Sequence, residues 1–185
     1  MYFESKYQPA KVYPVFLGLA NSTVPSFKLL GWYEGTKKLT SNAVYSVTVK
    51  KKVTYTAKFR KMTQRENIEA FVYRMYTVAL NRKAETAGLK YWSDRLELHI
   101  DDGAGIANGF IGSMEFVLRD LNNNDYVDTL YKTFFDRPAD AKGKAYWMSE
   151  LLAGKSRHEV LAGFVNSIEF DNLCKEFGII RGTMQ

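Results

Sequence analysis

The sequence predicts an α+β protein of two domains: a small basic β-domain over residues 1–62, then an all-α domain over 63–185 built from two duplicated three-helix units. Three observations predict it. Residues 1–62 hold 11 Lys/Arg against 2 Glu, a charge of +9, while residues 63–185 hold 15 Lys/Arg against 18 Asp/Glu, a charge of −3. Surfaces so different belong to two units, meeting near Lys61-Met62-Thr63. The first stretch is rich in β-branched and aromatic residues that can alternate across a sheet, the second in apolar residues at helical spacing. The second also carries one motif twice. Tyr76, Arg82, Ala84, Glu85, Gly88, Tyr91 and Trp92 recur as Tyr131, Arg137, Ala139, Asp140, Gly143, Tyr146 and Trp147, all at an offset of 55. Gly109-Phe110, Ser113 and Glu115-Phe116 recur as Gly163-Phe164, Ser167 and Glu169-Phe170 at 54, so one residue was lost between the two echoes. A period near fifty with this many matches marks an internal duplication.

In the β-domain, residues 44–49 and 53–59 predict two strands, with Lys50, Lys51 and Lys52 at the hairpin tip between them. Strands are also expected at 11–19 and at 26–33, the latter ending in Gly35. Pro9, Pro14 and Pro25 confine that region to strand ends or sheet edges, so the expectation is a sheet of about four strands. Phe27 to Gly35 (FKLLGWYEG), then Tyr45 to Val49 and Thr54 to Phe59, resembles the C-terminal part of the bacterial internalin B-repeat (Listeria–Bacteroides repeat) over residues 27–60. That resemblance implies a β-grasp-like fold, and a cell-surface or secreted bacterial protein in which such units act as spacers or weak adhesion modules.

The all-α domain opens on a capping box, Thr63-Gln64-Arg65-Glu66. Ile68, Phe71, Val72, Met75, Tyr76 and Ala79 follow at helical spacing. A second helix starts at Glu85 or Thr86, and a third runs from Asp102 to about Arg119, closing copy one at about 63–120. In copy two, about 121–180, Asn124 is the expected cap of the first helix and Asp140 of the second. Ser156-Arg157-His158-Glu159 is another capping box, and Gly178 stops the last helix. Leu130-Tyr131, Arg137-Pro138-Ala139-Asp140, Gly143, Tyr146-Trp147, Gly154, Ser156-Arg157, Gly163-Phe164 and Ser167-Ile168-Glu169-Phe170 together resemble a bacterial domain of unknown function, number 4214, whose helical plan is similar to that of phycobilisome linker domains. Copy one departs from the pattern at Asp101-Asp102-Gly103, where Ser-Arg is expected. The resemblance covers about 66–177. It implies attachment to secreted or surface-layer proteins, and the family offers no established reaction.

The recurring residues are weighed first as scaffold. Arg82 with Glu85, and Arg137 with Asp140, sit three apart across an interhelical turn; the reading favoured is an arginine that ties the turn together, against a carboxylate- or phosphate-binding site. Gly88 and Gly143 complete the structural signature. Trp92 and Trp147 read as core residues rather than sugar-stacking platforms. Asp120, Asn122 and Asn124 match the first three ligands of a calcium loop, but Asp125 and Tyr131 stand where its glycine and bidentate glutamate belong. His99 with Asp101 and Asp102 reads as an exposed helix end with its N-cap rather than a metal cluster, His158 has no Cys or His at ligand spacing, Cys174 stands alone, and no nucleophile, phosphate-loop or zinc motif occurs. Neither a metal nor a cofactor is expected, and the chain reads as non-enzymatic.

Lys50, Lys51 and Lys52, with Lys58, Arg60 and Lys61, form the one strong charge cluster and the candidate polyanion site. A cell-wall polyanion is favoured there over nucleic acid. The apolar run at 12–20 contains Pro14 and lacks the layout of a signal peptide, and no run is long enough to span a bilayer. The functional expectation is an interaction or adhesion module, located outside the cell or on its surface, binding a protein partner or a cell-wall polymer. The alternative is a carbohydrate- or wall-targeting module attached to a secreted hydrolase.

Overall fold

The computed structural model describes residues 27–42, 45 and 53–185. The strands expected at 11–19 and 44–49 lie outside these residues, Tyr45 excepted, as do Lys50, Lys51 and Lys52 at the hairpin tip. The chain divides into two compact units, Met1–Met62 and Thr63–Gln185.

In the first unit, β1 (Phe27–Glu34) lies between β2 (Lys37–Thr40) and β3 (Tyr55–Lys61), both antiparallel to it. The strand expected at 26–33 is β1, and the one expected at 53–59 is β3, displaced by two residues. The sequence reading lacks β2. Gly35, at φ +59°, turns the chain back so that Lys37 pairs with Glu34 and Lys38 with Tyr33. Two consecutive lysines carry no strand signal of their own; the neighbouring strand supplies the pairing. A bulge between Leu29 and Gly31 bends β1. Gly31 has φ +145°, and the Lys38 stem and the Thr40 carbonyl fill the space a β-carbon would take. Trp32, paired with Ala57 and Thr40, is buried.

The second unit holds eight helices among the described residues. Copy one comprises α1 (Gln64–Arg74, continuing as a π-helical turn, Met75–Ala79), α2 (Thr86–Glu97), α3 (Gly103–Ile111) and α4 (Met114–Val117). Copy two comprises α5 (Asn123–Phe135), α6 (Ala141–Leu152), α7 (Arg157–Val165) and α8 (Ile168–Phe177). The capping boxes at Thr63 and Ser156 form as expected, and Gly178 ends α8 in the left-handed conformation. Each expected third helix is cut in two by a serine. Ser113 and Ser167 donate back to the carbonyls of Phe110 and Phe164, while their hydroxyls accept from the N–H of Phe116 and Phe170. A hydroxyl so placed ends one helix and starts the next, which is what fixes serine at this position of the motif. The cap of α5 is Asn122, not Asn124: its side chain accepts from the Asp125 N–H at 2.9 Å.

The lost residue can be placed. Ile100 and Lys155 make the same backbone bond, to the carbonyls of Arg95 and Glu150. The caps Asp102 and Ser156 are therefore one residue out of step, and Asp101 is the extra residue of copy one.

The two copies bury one core. Phe71 of α1 meets Phe170 and Phe177 of α8, α5 packs on the π-helical turn, and α3 packs on α7. The C-terminal segment closes it. Ile180 and Arg181 carbonyls accept from the N–H groups of Gly103 and Ala104 at 2.8 and 2.7 Å, pairing orphan donors at the start of α3. Met184 and the Asn166 side chain bond reciprocally. This explains the departure of copy one from Ser-Arg. A β-carbon on Gly103 would stand 2.9 Å from Cys174 Sγ and 3.2 Å from both the Phe170 ring and the Arg181 carbonyl, so α8 and the tail together leave no room for an arginine. No helix among the described residues is long and apolar enough to cross a membrane.

Candidate functional site

The repeated arginines sit just beyond a helix end. Asn81 and Asp136, at φ +52° and +50°, stop the first helix of each copy in the left-handed region. The following arginine then lies over the ring of the repeated tyrosine: Arg82 is 4.8 Å from the Tyr76 centroid and Arg137 is 4.9 Å from that of Tyr131. The Arg137 fork takes both oxygens of Glu169, at 2.7 and 2.9 Å, while Nη1 reaches Asp140 at 3.3 Å. Arg82 repeats this with Glu115, through Nε and Nη2, and with Glu85 at 2.5 Å. Each arginine therefore ties its interhelical turn to the start of the fourth helix of its own copy. The glutamate hydrogen bonds are the main reason that both guanidinium groups hold their protons more firmly than usual. The Asp140 carboxyl is held below its ordinary range, first by the Gly143 N–H and then by Arg137; that of Glu85 is lowered mainly by Arg82. The acid three residues on was foreseen from spacing. The bidentate glutamate was not, although its recurrence in Ser-x-Glu-Phe was the available signal.

The other signature residues interlock. A β-carbon on Gly88 would overlap the Tyr76 hydroxyl, and one on Gly143 would overlap that of Tyr131. Trp92 lies on Gly109, with its ring 3.2 Å from where a β-carbon would stand, and Trp147 covers Gly163. Phe110 and Phe164 complete each cluster edge-on to the tyrosine at 4.9 and 5.0 Å, with the indoles at 5.4 and 5.1 Å. Burial raises the pKa of both tyrosine hydroxyls, and the charge of Arg82 beside Tyr76 and of Arg137 beside Tyr131 pulls the other way. The tryptophans are half-buried rather than sealed in the core, and beside them stand Tyr91 and Tyr146, 53% and 52% exposed.

In the linker compared with a calcium loop, the Asn122 side-chain oxygen caps the Asp125 N–H, Asp125 accepts from the Asn122 amide and Asn123 accepts from Arg157. No group of three His, Cys, Asp or Glu among the described residues could hold a metal ion. In the sheet, Lys58 Nζ stands 4.3 Å from the Tyr33 ring centroid. Strand alternation puts Lys58 and Arg60 on one face and Lys61 on the other, so the structure divides the basic cluster. Lys28 pairs with Arg60 and Lys38 with Tyr33; both lysines were missing from the sequence reading and join the Lys58 face. On the helical unit, Met114, Val117 and Leu118 are 70%, 60% and 74% exposed.

The family described as Domain of unknown function (DUF4214) matches at residues 52–119 and again at 107–174. The two matches are displaced by the 55-residue offset of the repeat and together span about two thirds of the chain. No curated protein and no solved structure matches.

Proposed function

The chain belongs to the DUF4214 family and carries its unit twice; from that premise we propose a non-enzymatic interaction module of a bacterial cell-surface or secreted protein, whose helical unit binds a protein partner. What carries the reading is α4. Met114, Val117 and Leu118 project from a single helical turn as an exposed apolar set. At the equivalent places copy two has Ile168, Asp171 and Asn172, so the two copies share the scaffold while this surface is the more apolar in copy one. An apolar cluster that the fold leaves in water is a mark of an interface. The arginines and acids of the repeat motif support the non-enzymatic reading, since each is engaged in holding the turns. The resemblance of residues 27–60 to the internalin B-repeat supports the surface location.

The second reading is carbohydrate targeting for a secreted hydrolase, favoured by Tyr91 and Tyr146 standing half-exposed beside a tryptophan in both copies. Capture from native bacterial envelope separates the two. Replacing Met114, Val117 and Leu118 by serine should abolish capture of a protease-sensitive partner with no loss of folding. Retained capture by that variant, together with loss in a Tyr91→Ala/Tyr146→Ala variant that still binds after protease treatment, would transfer the function to the glycan reading.

A further inference from the structure

We infer that one face of the β-sheet is a binding site for a flexible, base-free polyanion whose charges are phosphodiesters, a polyol-phosphate type of chain. The proposal rests on the reading above only in treating the chain as an interaction module; the ligand and the unit that holds it are different.

Strand register builds the face. Lys58 and Arg60 alternate along β3, Lys28 pairs with Arg60 from β1, and Lys38 pairs with Tyr33 from β2. Gly31 lets the Lys38 stem cross β1, and Lys58 reaches the Tyr33 ring, which places these side chains on one side. Lys28, Lys38 and Lys58 are exposed. Glu34, the one acid in the described strands, alternates to the opposite side with Lys37 and Lys61. Neighbouring strands lie about 5 Å apart and same-face residues about 7 Å apart along a strand. Those spacings fall within the screening length of about 8–10 Å at ordinary salt, so the cations act together on a chain of negative charges.

The same geometry selects among anions. A nucleic acid strand uses successive aromatic platforms for its bases, whereas Tyr33, the one ring on this face among the described residues, is already covered by the Lys58 ammonium. A lipid surface would be gripped by cations and apolar side chains together. Here Phe27, Leu29, Trp32 and Phe59 belong to the opposite side. A chain of phosphodiesters without rings needs only the row of cations.

The test uses the intact protein and poly(glycerol phosphate) as probe, with Lys50, Lys51 and Lys52 left in place. Lys38→Glu/Lys58→Glu and Lys37→Glu/Lys61→Glu change net charge equally but on opposite faces. The first pair should weaken binding about tenfold or more at low salt, and the second should leave it within about threefold. Equal losses would overturn the proposal, leaving attraction by net charge alone. Tighter binding to oligo-deoxythymidine or to phosphatidylglycerol vesicles than to the polymer would overturn the assigned chemistry. If circular dichroism shows that charge reversal disturbs folding, Lys38→Gln/Lys58→Gln against Lys37→Gln/Lys61→Gln decides in the same way. The α4 serine variant should bind the polymer as the wild type does, so failure of the protein-partner reading and failure of this one give different results.

Discussion

A glycine within a helix ordinarily costs about 0.5–1 kcal/mol relative to alanine, yet Gly143 occupies α6 because the Tyr131 hydroxyl takes the space of its side chain. The ring cannot swing aside, since Tyr131 is buried between Phe135 and Phe164. Gly143→Ala should therefore destabilise the protein by about 1–3 kcal/mol, as overpacking does. Adding Tyr131→Phe should recover part of the loss, a coupling that urea denaturation of the two single variants and the double variant would measure. Asp140 beside it gives a pH prediction. Its folded pKa is depressed, by the Gly143 N–H and then Arg137, so its contribution is complete above the ordinary aspartate range and fades as pH falls through the folded value. Asp140→Asn keeps a capping acceptor and removes the titration. Between about pH 5 and about pH 3 the variant should lose less stability than the wild type. At this scale the sequence was most legible where a residue had a partner a few positions away. The Arg137–Asp140 pair and the caps at Thr63, Asp140 and Ser156 follow from spacing; the Arg137–Glu169 pair spans 32 positions, and spacing alone gives no hint of it.

Among elements, the C-terminal segment was the least legible, because it has no secondary structure and acts only through distant partners. Periodicity also missed the breaks at Ser113 and Ser167: apolar residues continue in helical phase across them, and the hydroxyl that reverses the backbone is a single atom. The strand β2 was missed for the related reason that its pairing with β1 outweighs its composition. Removing residues 179–185 would expose the Gly103 and Ala104 donors, unmake the Asn166–Met184 pair and leave the Ile179 pocket open. At about 1 kcal/mol net per hydrogen bond and about 1.5–3 kcal/mol for burying an isoleucine, the loss should reach about 3 kcal/mol or more. Cys174 reports the same event. Burial pushes its thiol up to about 12, with Asp171 adding to the effect, so the native protein should resist a thiol-reactive disulfide reagent at neutral pH. The truncated chain should react with that reagent many times faster, and equal labelling rates would show that the segment does not cover this end of the core.

For the helical unit as a whole, duplication does not mean independence. Each copy's turn is closed within the copy, by Arg82–Glu115 or Arg137–Glu169. Buried rings, in contrast, also meet across the copies: Phe71 of copy one lies against Phe170 and Phe177 of copy two, and Phe116 against Tyr126. The Gln64 side chain, beside the first helix start, donates to the Gly178 carbonyl at the last helix end. A fragment of 63–120 or 121–185 would keep its local clamps and lose the partner for that aromatic face. At about 60 residues a chain buries too small a share of its surface to tolerate such a loss. Either fragment alone should therefore show far-UV circular dichroism of a largely unfolded chain, and mixing the two should restore helical signal in proportion to complex formed. The intact unit should unfold in one cooperative transition, so two separated transitions, or a folded monomeric fragment, would show that each copy carries a core of its own.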